Sequence, residues 1–197
     1  MPTGTSLATL AVLTEQTGGI DKIFRTAIYS IRLFAALTGR EILPLLKLAD
    51  VLSETRYVLR IFGSIFSIKD LFQANLKKRE LIKALTMAVY YPLDALYLLA
   101  FKEIISINPK HQLEISQWSC RAWALYSIVE LSELLGLWEQ GRSPVLAIVQ
   151  SAADMLLALN WSWDRFALSS PAVAGIGTIS ASLSLASAVS TANKGST

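Results

Sequence analysis

Apolar residues recur at helical spacing along almost the whole chain, and the strict alternation that marks half-buried strands is hard to find. After the Gly18-Gly19 break, "IDKIFRTAIYSIRLF" places Ile20, Ile23, Phe24, Ala27, Ile28, Ile31 and Phe34 on one face, with Lys22, Arg25 and Arg32 outside it. Gly39 closes this helix, and a second opens near Pro44, a residue suited to a first turn. Residues 81–107 read as a long apolar helix interrupted at Pro92. A polar loop follows at 108–114, "NPKHQLE", and then a helix over 115–138 carrying Arg121, Glu130 and Glu133. "EQGRSP" turns the chain, with Ser143 as N-cap and Pro144 at the first helical position; "SSP" at 169–171 starts the last helix in the same way.

Between the second and fourth of these units lies "TRYVLRIFGSIFSIKDLFQANLKKRE", expected to be one amphipathic helix over 56–78. Stepping by about 100° per residue puts Val58, Leu59, Ile61, Phe62, Ile65, Phe66, Ile68, Phe72 and Leu76 within one half of the cylinder. Arg56, Arg60, Gly63, Ser67, Asp70, Ala74 and Lys78 take the other half. Lys69 falls inside the apolar face and Leu71 outside it. From Arg56 to Glu80 there are six basic and two acidic residues, a local charge of +4 against +3 for the entire chain. Bulky aromatics opposite cations suit a helix lying in a bilayer interface, where apolar burial and attraction to anionic headgroups add. A surface helix of a soluble bundle has the same periodicity, and the pattern alone does not separate the two.

Two further stretches bear on a membrane. From Phe166 to Asn193 no charged residue occurs, ample length for about 30 Å of hydrocarbon. Within it Ala174, Thr178, Ser182, Ala186 and Ser190 recur every fourth residue, a small-xxx-small face that lets helices approach closely in lipid. This is the expected span. "VYYPLDALYLLAF" (89–101) holds Pro92 and Asp94, so it is expected to be a kinked, partly immersed helix whose carboxylate faces protein, water or the interface.

Composition sharpens this picture. Hydrophobic residues make up 53% and charged residues 17% of the 197-residue chain, against about 45–50% and 25% in soluble domains. Such a chain needs an unusually large interior or a lipid surface to receive its apolar groups. The expected fold is all-α: a membrane-associated helical protein with an amphipathic interfacial helix and C-terminal apolar helices. Its expected organisation is a tail at 1–18, one helical membrane domain over 19–193 and a tail at 194–197.

Candidate chemistry is sparse. Cys120 is the only cysteine and His111 the only histidine, which leaves no disulfide framework, no cysteine zinc site and few acid–base constellations. No Gly-rich phosphate loop, nucleophile motif or paired-carboxylate site stands out. We therefore expect no enzyme, no catalytic or metal-ligating residues and no cofactor. "KKRE" at 77–80 lacks the breadth of a nucleic-acid surface, so no nucleic-acid partner is expected. "NWS" at 160–162 reads as an interfacial Trp pair, Trp161 and Trp163, rather than as a glycosylation sequon. The first residues make a poor secretory signal and the last five, "NKGST", are not a peroxisomal SKL address.

Taken in order, these blocks resemble the peroxin-11 family of peroxisomal membrane proteins, and within it the shorter gamma-like branch. "GIDKIFRTAIY" looks like the family's N-terminal block, and "LSETRYVLRIFG" like the block leading into its amphipathic helix. "YYPLDALYLLA" resembles the central aromatic-acidic block and "SQWSCRAWALYSIVEL" the W-S-x-R-x-W block. "AADMLLALNWSWD" and "GIGTISASLSL" are similar to the C-terminal membrane region. The likeness spans roughly residues 18–190.

The resemblance implies a non-enzymatic protein of the peroxisomal membrane that elongates and remodels it before division. It further implies insertion of an amphipathic helix into one leaflet rich in anionic lipids, homo-oligomerisation, and recruitment of fission machinery such as a dynamin-related GTPase and its membrane adaptor. The membrane-binding residues would be Arg56, Arg60, Phe62, Ile65, Phe66, Lys69, Phe72, Lys77 and Lys78, with Phe62, Phe66 and Phe72 as the wedge. The helix-packing residues would be Ala174, Thr178, Ser182 and Ala186. Two other classes compete. A membrane pore or metabolite channel would line a polar path with Asp94, Arg121, Glu130 and Asp154, because intramembrane charges mark functional sites by default. A soluble helical interaction module would leave the chain in the aqueous phase without detergent.

Overall fold

The computed structural model describes residues 7–39, 42–73 and 75–195. Seven α-helices account for nearly all of them: α1 (Leu7–Thr14), α2 (Thr17–Thr38), α3 (Leu43–Leu71), α4 (Lys78–Phe101), α5 (Pro109–Glu139), α6 (Val145–Ser162) and α7 (Ser170–Gly195). The protein is all-α, with long apolar helices suited to a membrane.

Several boundaries differ from the sequence reading. Part of the expected N-terminal tail, residues 7–14, is helical, with Thr9 and Leu13 buried. The segment from Pro44 and the amphipathic stretch form one continuous helix, α3, which ends at Leu71 rather than at 78. Its last turn tightens, with the amide of Phe72 bonding the carbonyl of Lys69 at 3.1 Å, and Asn75 takes a left-handed φ of 66° that no helix accommodates. Glu80 then restarts the chain by accepting a hydrogen bond from the Lys77 amide at 2.9 Å. Most of the loop expected at 108–114 belongs to α5, because the Asn108 side chain accepts from the Lys110 amide and caps a helix whose first residue is Pro109.

The chain divides into two compact units, residues 1–56 with 170–197, and residues 57–169. In the first, α2 lies along α7. Ile28 and Tyr29 are buried there, the Thr26 hydroxyl donates to the Ala181 carbonyl at 3.3 Å, and Thr9 bonds Asn193 at 2.5 Å. The first half of α3 is tied to α2 by Arg56 and Asp21, whose Nε–Oδ1 distance is 2.8 Å.

In the second unit α5 packs extensively on both α4 and α6. Both packings are antiparallel. Lys83, early in α4, meets Glu130 and Glu133, late in α5, whereas Gln112 at the start of α5 reaches the carbonyl of Ala100 at the end of α4. Arg121 donates to the carbonyl of Ser162 and Ser151 to that of Ser127, which aligns α6 the same way. The buried positions of α5 and α6 are mainly small: Ser119, Ala124, Ser127, Ser151, Ala153, Ala158 and Ser162, with Leu157 the one large exception. Trp118, Leu125, Ile128, Leu135, Trp138 and Leu146 point outward instead. Small residues inside and large apolar ones outside is the arrangement of helices that associate in lipid, where close backbone approach rather than water exclusion drives packing.

Candidate membrane interface

The outer face of α3 is greasy. Phe62, Ile65, Phe66 and Phe72 are 50, 65, 59 and 84% exposed, and Val58, Ile61 and Ile68 are exposed beside them. These belong to the apolar set of the sequence pattern, and all but Phe72, one residue past the helix end, lie on one side of α3. In water the arrangement is unfavourable by about 25 cal/mol for each Å² of apolar surface left exposed.

The polar face of α3 points into the protein. Arg56 is buried, at 8% exposure, and forks onto Asp21 through Nε and Nη2, at 2.8 and 3.2 Å. One turn on, Arg60 Nη1 donates to Asp94 Oδ2 at 2.7 Å. Its guanidinium lies 5.6 Å from the ring centroids of both Tyr57 and Tyr90, and the Ser119 hydroxyl donates to the other Asp94 oxygen at 3.3 Å. Another turn on, a side chain at Gly63 would press on the ring of Tyr91, whose Cε1 stands 2.7 Å from the Cβ position. Tyr57 packs its ring on Tyr97, with centroids 5.8 Å apart. Residues 57, 60 and 63 of α3 therefore meet residues 97, 94 and 91 of α4 in descending order, an antiparallel pair. A charge withdrawn from water is tolerated only with a partner and hydrogen bonds, and each of these arginines has both.

Of the nine residues expected to bind membrane, the structure thus places Phe62, Ile65, Phe66 and Lys69 on the outer side of α3, Phe72 exposed one residue past its end, and Lys77 and Lys78 exposed at the start of α4. Arg56 and Arg60 stand apart from them, in ion pairs with carboxylates of this chain. A signal for this was present in the sequence. Arg56, Arg60, Gly63 and Ser67 follow one another at intervals of three and four, and two small residues on a polar face mark a packing seam as readily as a wet surface.

The expected packing stripe on α7 is divided. Ala174 is buried and Thr178 half-buried, whereas Ser182 and Ala186 are exposed. The buried residues are Ala174, Gly177, Ser180, Ala181 and Ser184, with the Tyr29 ring seated against Gly177. A four-residue step overshoots one helical turn by about 40°, so a strict fourth-residue stripe winds off the contact, and alternating steps of three and four stay on it.

The charges expected to line a pore have internal neighbours. Asp94 holds Arg60, and Glu130 and Glu133 grip Lys83 at 2.9 and 2.6 Å. Arg121 sits between the rings of Trp118 and Trp163, 4.6 and 5.5 Å from their centroids, and bonds the Ser162 carbonyl. Asp154 is half-buried. Among the described residues three helices, Lys78–Phe101, Val145–Ser162 and a third over Ser170–Asn193, are long and apolar enough to cross a membrane. The expected span at the C-terminal end is thus joined by two others, and Pro92 does not interrupt α4. Among the described residues no group of three or more His, Cys, Asp and Glu side chains is placed to hold a metal ion.

Comparison with known proteins agrees with the four quoted blocks that lie between residues 19 and 131. The family model of peroxisomal biogenesis factor 11 (PEX11) matches residues 7–140. An uncharacterized protein of Schizosaccharomyces pombe is 26% identical over 157 residues, which cover 79% of this chain and 80% of that one. No solved structure matches.

Proposed function

The chain belongs to the family of peroxisomal biogenesis factor 11 (PEX11), which remodels the peroxisomal membrane, and from that premise we propose that it elongates this membrane before division by presenting the apolar face of α3 to lipid. The observation that carries the reading is the inversion of α3, with phenylalanines outward and arginines paired inward. A face of that kind has a stable environment only among acyl chains or against another apolar surface. Lys69, Lys77 and Lys78 supply attraction to anionic headgroups next to it. Self-association would let many copies impose one shape, and a dynamin-related GTPase with its membrane adaptor would then sever the tubule. We assign the chain to the gamma-like branch on the motifs quoted above alone.

Remodelling is favoured over a pore because three of the four charges a pore would use are engaged inside the protein, Asp94 with Arg60, Glu130 with Lys83 and Arg121 with the Ser162 carbonyl, and a conduction path needs them hydrated. The test uses the full chain in vesicles containing anionic lipid. Phe62→Glu with Phe66→Glu abolishes vesicle deformation while circular dichroism keeps the helical signal. Deformation by the double variant at the unsubstituted level would sink the insertion reading, and solute leakage without deformation would favour the channel.

A further inference from the structure

We infer that α5 crosses the bilayer, carrying the chain back between α4 and α6, although its charges hide it from a hydropathy count. The inference concerns α4, α5 and α6 alone and holds whether or not the apolar face of α3 inserts into lipid.

Direction makes the first demand. α4 and α6 have the length and apolar composition of spans, and both pack on α5. Lys83 meets Glu133, the Ser119 hydroxyl donates to the Tyr90 carbonyl at 3.3 Å, and Gln112 lies beside Ala100, so α4 and α5 run in opposite directions. Gln117 bonds Asp164 at 3.0 Å, Trp123 stacks on Trp161, and Ser151 donates to the Ser127 carbonyl, so α5 and α6 are opposed as well. α4 and α6 are therefore parallel. Two parallel spans enter from the same side, and the chain that joins them has to return through the hydrocarbon. Only a segment whose backbone polar groups bond one another can do so, and between residues 102 and 144 that segment is the helix α5.

The surface of α5 meets the second demand, that its outer side suit acyl chains. Arg121, Glu130 and Glu133 lie within it and raise its polarity. Each is directed inward: Arg121 onto the Ser162 carbonyl and two Trp rings, the glutamates onto Lys83. Between Glu114 and Glu139 the exposed residues are Trp118, Leu125, Ile128, Ser132, Leu135 and Trp138. The one polar group among their aliphatic and Trp side chains, the Ser132 hydroxyl, donates to the Val129 carbonyl of its own helix at 2.7 Å. Trp118 and Trp138 are separated by about 30 Å at 1.5 Å per residue, the thickness of the hydrocarbon core, and Trp rings concentrate at its two boundaries. α4 between Glu80 and Lys102, and α6 between Arg142 and Asp164, likewise expose no charged side chain.

Three crossings fix which ends share a side. Lys77, Lys78 and Arg79 before α4 lie with the turn at 139–144, and the turn at 102–108 lies across the bilayer with Asp164 and Arg165.

Site-directed spin labelling of the full chain in phosphatidylcholine–phosphatidylserine vesicles tests this, in a Cys120→Ser background, or Cys120→Ala should the first lose its helical circular dichroism. Labels are placed singly through Val89→Cys on α4 and through Leu113→Cys, Ile128→Cys, Leu135→Cys and Gln140→Cys along α5 and its end. Depth is read from collisions with oxygen against a water-soluble nickel chelate. The expected profile has Ile128 deepest, Leu135 about 10 Å shallower, and nickel access at Leu113 and Gln140. Equal depths at Ile128 and Leu135, the signature of a helix lying in the interface, overturn the inference. Nickel access at Ile128 overturns it as well, with Val89 either deep or accessible. No label lies on α3, so failure here is distinct from failure of the vesicle-deformation test.

Discussion

Arg60 Nη1 stands 2.7 Å from Asp94 Oδ2, and this contact decides which side of α3 faces outward. Asp94 is buried, at 6% exposure, and the Arg60 side chain is 21% exposed, so both charges are largely removed from water. Neither is stable there without the other.

Removal of one partner should therefore cost more than removal of both. Arg60→Met alone leaves the Asp94 carboxylate with the Ser119 hydroxyl and should lower stability by about 3 kcal/mol. Arg60→Met with Asp94→Leu should recover most of that loss. Denaturant unfolding in detergent micelles measures both, and equal losses in the single and double variants would contradict the pairing.

The Lys83 cluster should behave likewise, with smaller amplitude. Its side chains are 22, 33 and 26% exposed, and solvent screening weakens each contact. Lys83→Met should cost about 2 kcal/mol by leaving two carboxylates against each other. Adding Glu130→Gln and Glu133→Gln should restore stability, as read by the same unfolding assay.

The two arginines of α3 and the exposed lysines should separate by assay. Lys69→Gln, Lys77→Gln and Lys78→Gln together should weaken binding to anionic vesicles by about 1 kcal/mol per charge, less at high salt. Arg56→Gln should leave vesicle affinity nearly unchanged and lower the unfolding midpoint, since the contacts of Nε and Nη2 with Asp21 are lost. Co-sedimentation across a salt series distinguishes these. An Arg56→Gln variant that loses affinity without losing stability would reverse the assignment.

Glycine contacts grade the helix seams. At Gly177 a methyl group would strike the Tyr29 ring as far back as Cγ, near its attachment, so the ring cannot swing clear. Gly177→Ala should destabilise by about 1–3 kcal/mol. Gly63→Ala meets Cδ1, Cε1 and Cζ of Tyr91, farther out on a side chain able to give way, and should cost less. Gly175→Ala meets nothing within 4 Å and should be neutral or stabilising by up to about 1 kcal/mol through helix propensity. Thermal unfolding of the three variants should rank them in that order.

Much of the fold is legible from periodicity. The turn at "EQGRSP", the start at "SSP" and the stop at Gly39 stand within a residue of their expected places, whereas α2 begins at Thr17 and runs through the expected Gly18-Gly19 break. Punctuation was harder to read. Asn108 and Pro109 look like a loop in a polar context, yet the same two residues make a cap and a first turn. Local rules allow both meanings, and the packing of α5 on α4 selects the second.

The sequence by itself determined that helices form, that one carries phenylalanines on one side and arginines on the other, and that the chain holds more apolar residues than soluble domains usually do. Those are consequences of backbone period and composition, which act within a few residues. The tertiary structure alone decided which side of α3 faces outward. Asp21 and Asp94 are 35 and 34 residues from the arginines they hold. Only the folded chain brings them within 3 Å, and a paired buried charge is the one arrangement that lets a polar face turn inward and an apolar one turn out.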